Sequence, residues 1–175
     1  MEIITYVRTG AITHQDSLGN RGRTGAGDVQ VMSAGTGITH AEYNLDEEEE
    51  TTLFQIWIMP DRDKLGRAPA WDAKPFPKGD RAGRWVVLAS GRAGDLAEGA
   101  LPINADARVA GATIPAGATL EYKLDGRRAY LVPASGRLEL EGAEVSARDG
   151  AAVADLATLR VTALEDAEVV LVETA

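Results

Sequence analysis

From Trp85 to the C-terminus the sequence repeats one pattern, a short run of β-favouring residues followed by a turn. WVVLAS, ARVAGATI, ATLEYKL, RRAYLVPAS, GRLELEG, GAAVADL, LRVTAL and AEVVLVE follow one another, separated by turn signals at Gly91, Gly117, Asp125-Gly126, Gly136, Gly142 and Asp149-Gly150. Short strands at this spacing favour an antiparallel barrel or a double-sheet jelly roll, and no segment has the 3.6-residue apolar stripe of a helix. The fold class is therefore all-β.

The front half reads the same way, with interruptions. Glu2 to Arg8 (EIITYVR) is β-branched and aromatic, a strand by propensity. Because it stands at the start of the chain, it is expected to be an edge strand or to follow strands that are missing. Ala11 to His14 makes a short strand, and Asp16 to Gly27 is a Gly-rich loop with no phosphate-binding pattern. Glu47 to Glu50 is a run of like charges and reads as a solvated loop. Leu53 to Met59 is an apolar strand ended by Pro60. Pro69, Pro75 and Pro77 punctuate the segment from Asp61 to Arg84, which reads as an irregular crossing between two domains, 1–75 and 76–175.

Composition removes several function classes. With no cysteine, disulfides, zinc ribbons and thiol catalysis are excluded. A formal net charge of −9 repels polyphosphate, so direct nucleic-acid binding is not expected. No basic leader precedes an apolar run, and none approaches the roughly 20 residues of a membrane helix. A cytoplasmic protein acting on small molecules or proteins is the expectation.

The residues able to do chemistry cluster in Gly25 to Asn44, GAGDVQVMSAGTGITHAEYN. Asp28 closes a turn, Val29 and Val31 alternate as a strand, and Gly35-Thr36-Gly37 reverses the chain before a second strand from Ile38. On that strand His40 and Glu42 stand two apart, so both side chains point the same way. A neutral imidazole and a carboxylate on one face are half of a site for a divalent metal such as iron, with a salt bridge as the alternative role for Glu42. His14, the only other histidine, reads as a hydrogen-bonded strand-end residue, with a substitute ligand or a proton acceptor as alternatives. Asp16 reads as a turn closer. Trp57, Trp71 and Trp85 read as packing residues or as an aromatic wall for a flat phenolic substrate. The back half, with no histidine, reads as structural.

Met1 to Asn44 with the following LFQIWIMP resembles the first half of the pirin family, two-domain cupins related to the bacterial pirin-like quercetin 2,3-dioxygenases. The residues that carry the likeness are GDVQVMSAGTGITHAE, HQDSLGN and QIWIMP, joined by DARVAGATI, RRAYLVPASG and DAEVVLVET in the second half. The resemblance implies two cupin (double-stranded β-helix, jelly-roll) domains, the first lacking its N-terminal strands and the second lacking metal ligands. It also implies one divalent metal, usually iron as Fe2+, held by three histidines and a glutamate. His40 and Glu42 match one pair, and Glu42 matches the residue that would take a phenolic proton. Two further histidines belong to an HPH motif ahead of EIITYV, and this chain starts at the Met of the family's HPHRDMEIITYV string. His14 falls beside the site. A natural truncation or a misassigned start, weak metal binding, and a barrel edge at Glu2 open to dimerisation are the resulting expectations. Two functions remain open: an iron-dependent flavonol dioxygenase, impaired by the absent ligands, and a non-catalytic, redox-responsive regulatory partner.

Overall fold

Alternation of apolar residues with turns builds seventeen strands and almost no helix in the computed structural model, which describes all 175 residues. The first seven strands are β1 (Glu2–Thr9), β2 (Ala11–Asp16), β3 (Arg21–Gly25), β4 (Val29–Ser33), β5 (His40–Tyr43), β6 (Thr52–Ile58) and β7 (Ala70–Lys74). Then come β8 (Val86–Ser90), a single helical turn α1 (Ala93–Ala97), β9 (Leu101–Pro102), β10 (Ala107–Ile114), β11 (Thr119–Lys123) and β12 (Arg128–Ser135). The chain ends with β13 (Leu138–Leu140), β14 (Ala143–Val145), β15 (Ala151–Val153), β16 (Thr158–Ala163) and β17 (Ala167–Thr174). No helix is long and apolar enough to cross a membrane.

The first unit comprises Met1–Pro77 together with Ala89–Ala105. Its two sheets have the strand orders β6-β1-β4-β7 and β3-β2-β5, and all these pairings are antiparallel. The second unit comprises Lys78–Leu88 and Asp106–Ala175. It sets β15-β12-β17-β10-β8 against β11-β16-β13-β14, the two-sheet arrangement of a double-stranded β-helix. Leu131, Leu138, Leu159, Val161, Val169 and Leu171 fill its interior, and Trp85 packs edge-on to Tyr122 at 5.3 Å. Fully burying each such aliphatic side chain contributes about 1.5–3 kcal/mol, so this interior is a packed core with no histidine in it.

Several sequence expectations change. β1 is not an edge: it pairs with β4 on one side and β6 on the other, and its residues from Glu2 to Val7 are all buried. Strand order depends on non-local pairing, which the opening residues do not encode, so the expected dimer edge at Glu2 is absent and β6 and β7 border the sheet instead. The Gly-rich loop contains β3, whose RGRTG residues have little β propensity and are held extended by pairing with β2. The crossing segment contains β7, which Pro69 and Pro75 bound rather than forbid. A single boundary after residue 75 also misses the return of Ala89–Ala105 to the first unit. That return is anchored where the backbone N–H of Asn104 and the hydroxyl of Ser33 donate to the buried Glu2 carboxylate at 2.9 and 2.6 Å. In the second unit, Glu168 and Glu173 are buried although charged. They lie buried on β17, an internal strand, where Arg81 and Arg127 neutralise them.

Candidate metal centre

The β2–β5 register sets Asp16 opposite His40 and His14 opposite Glu42. Since strand side chains alternate, all four project from one face of the three-stranded sheet. The other sheet of the first unit turns Thr5, Gln30, Gln55 and Trp71 the same way, through the pairings Thr5–Gln30, Thr5–Gln55 and Met32–Trp71. His40 opens β5 and is exposed, while Glu42 is half-buried.

Glu42 is held by two amides. Gln30 Nε2 donates to its Oε1, and Gln55 Nε2 donates to its Oε2 at 3.2 Å. Each amide is itself oriented: Thr24 Oγ1 donates to Gln30 Oε1 at 3.2 Å, and Trp57 Nε1 donates to Gln55 Oε1 at 2.9 Å. Both NH2 groups therefore face the carboxylate, leaving it with lone pairs to spare. Trp57 is 62 % exposed, so it is a positioned donor at the surface and not the packing residue its composition suggests.

His14 lies beside this pair and is fully buried. Its Nε2–H donates to Asp16 Oδ2 at 3.0 Å. Asp16 also closes its turn, as expected, by accepting from Leu18 N, Asn20 N and Asn20 Nδ2 at 2.9–3.0 Å. Burial works to raise the Asp16 pKa, but the bonds from Asn20, His14 and Leu18 prevail and hold it at about 2, so the group is a carboxylate at neutral pH. The His14 ring stacks on Trp71 (centroids 4.8 Å, planes 8° apart) and on His40 (5.7 Å, 18°). Imidazole lone pairs lie in the ring plane. The near-parallel stack sets the His14 ring beside His40, with its Nε2 taken up by Asp16. Its Nδ1 is buried without a partner.

The donor chemistry suits a borderline ion such as iron or nickel, with one imidazole nitrogen and one carboxylate whose orientation is fixed. The set is small, since no group of three or more His, Cys, Asp or Glu residues converges. Gln30, Gln55 and Trp71 complete the surroundings and were not singled out from the sequence. They reach β5 only through pairing between distant strands.

Two double-stranded β-helix units, one with a histidine–glutamate pair on a strand of its barrel and one filled with aliphatic side chains, define a two-domain cupin of the metal-binding type. Residues 1–58 match the pirin family and residues 87–174 match the quercetinase C-terminal cupin domain. A pirin-like protein of Caulobacter vibrioides is 62 % identical over 176 residues, covering 100 % of this chain and 74 % of that protein. The quercetin 2,3-dioxygenase of Escherichia coli K12 is 35 % identical over 172 residues, covering 98 % of this chain and 71 % of that protein. The crystal structure of the E. coli bacterial pirin YhhW in complex with nickel(II) superposes with a TM-score of 0.89 at 32 % identity, over 99 % of this chain and 72 % of that one. The chain belongs to the pirin family.

Proposed function

We propose that this chain is of the pirin-type quercetin 2,3-dioxygenases, taking a flavonol or similar phenolic substrate, with His40 and Glu42 as the donors it offers to an iron(II) ion. The observation that carries this reading is the His40–Glu42 pair on one strand face, with both Glu42 oxygens oriented by Gln30 and Gln55. When bound, the ion would supply a Lewis acid with open positions for substrate and oxygen. His40 offers a nitrogen donor at the solvent side. Glu42 combines an anionic donor with spare lone pairs able to accept a proton from a phenolic hydroxyl. The exposed Trp57 indole, tied to Gln55, offers a wall against which a flat ring can lie.

Two side-chain donors leave the remaining positions to water, so the affinity of these residues for iron is expected to be low. The small donor set supports a second reading, a non-catalytic binding or redox-responsive regulatory partner. Loss of quercetin absorbance in air, measured on the whole chain with Fe2+ titrated to excess, separates the two. Turnover that rises with Fe2+ and stops with chelator supports the dioxygenase. No turnover at saturating Fe2+ supports the binding role, and stoichiometric iron retained through purification contradicts the low affinity.

A further inference from the structure

We infer that Trp71 is a positioning residue for the metal-binding imidazole, acting on His40 through the ring of His14; this rests on the reading of His40 as a metal donor. His40 is the first residue of β5 and is exposed, so packing of its own strand does not select a rotamer for it. The contact that fixes its ring plane is the stack on His14 at 5.7 Å. His14 is in turn held from two directions. Asp16 fixes it in the ring plane through Nε2, and Trp71 fixes it across the ring, with centroids 4.8 Å apart and planes 8° from parallel. Trp71 also has a prepared seat, because a Cβ at Gly22 would collide with its indole ring. Gly22 is the register partner of His14 on β3, so the missing side chain is what lets the indole reach the imidazole.

The result is a three-ring series, Trp71–His14–His40, that begins on the edge strand β7 and ends at an exposed donor. Near-parallel rings at these separations attract beyond simple burial. A ligand ring already in its working orientation loses less freedom when an ion binds. Trp71 acts through the His14 ring, and its effect falls on the donor's geometry.

The test compares Trp71→Leu, which keeps apolar bulk but removes the ring, with Trp71→Phe, which restores one. Because the chain has only two histidines, long-range 1H–15N spectra of the metal-free protein resolve both imidazoles. Trp71→Leu is expected to move the His40 ring protons toward free-histidine positions and to weaken Co2+ binding, read by calorimetry, by about three- to tenfold, with Trp71→Phe recovering most of both. A folded Trp71→Leu chain with unchanged His40 resonances overturns the inference, as does unchanged Co2+ affinity despite shifted resonances. If the unsubstituted chain binds no Co2+ at all, the metal reading fails and the inference falls with it; loss of the Trp71 effect alone leaves that reading standing.

Discussion

Glu42→Gln is expected to weaken Co2+ or Fe2+ binding by about 100-fold or more, to below detection for a site that begins with two side-chain donors, since removing an outer-sphere partner alone commonly costs 10–100-fold. Glu42 is the anionic member of the pair, and an amide oxygen replaces its charge with a weak dipole. The fold should be unaffected. A glutamine at 42 keeps an oxygen to accept from one of the Gln30 and Gln55 amides, so no more than one donor loses its partner. Calorimetric titration beside a thermal melt checks both halves of the statement. Unchanged affinity would assign the metal to other residues, and a collapsed melt would make Glu42 a structural hydrogen-bond acceptor.

Arg81→Ala is expected to have the largest effect on stability, at a site with no part in the chemistry. Arg81 is fully buried in the short turn Lys78–Arg81, and its Nη2 lies 3.4 Å from Oε1 of the buried Glu168. The room for it depends on Gly111, where any Cβ would stand 2.9 Å from its Nη1. Removing the guanidinium takes a cation from the buried carboxylate, which keeps Lys78 Nζ at 2.7 Å, and opens a void. The cost should be about 3 kcal/mol, lowering the melting midpoint of a chain this size by about 6–12 °C. Arg81→Met combined with Glu168→Leu should recover most of the loss, because two apolar side chains replace a charge pair without stranding either partner. A single substitution that leaves the melt unchanged would mean that Glu168 is satisfied without Arg81.

The parts of this molecule legible in the sequence are those set by local periodicity. His40 and Glu42 share a face because alternation along a strand is a local rule, and Asp16 closes its turn because its carboxylate reaches N–H groups two and four residues on. Most strands after Trp85 fall where turn residues bracket β-branched runs. What the sequence hid depends on pairing between distant segments. β1 looks like an edge until β4 and β6 flank it. β7 looks like linker because prolines stand at both of its ends, and with it goes Trp71, which only sheet pairing brings across to His14. Gln30 and Gln55 are unremarkable as residues. Their partner Glu42 lies on another sheet, 12 and 13 residues away in sequence.

Which imidazole accepts an ion decides whether His40 is the metal donor. With two histidines in the chain, titration with diamagnetic Zn2+ followed by long-range 1H–15N correlation decides it. One nitrogen of His40 should move to the range of a coordinated imidazole while both nitrogens of His14 keep their metal-free positions. Coordination at His14, or no response at His40, would contradict the site described above.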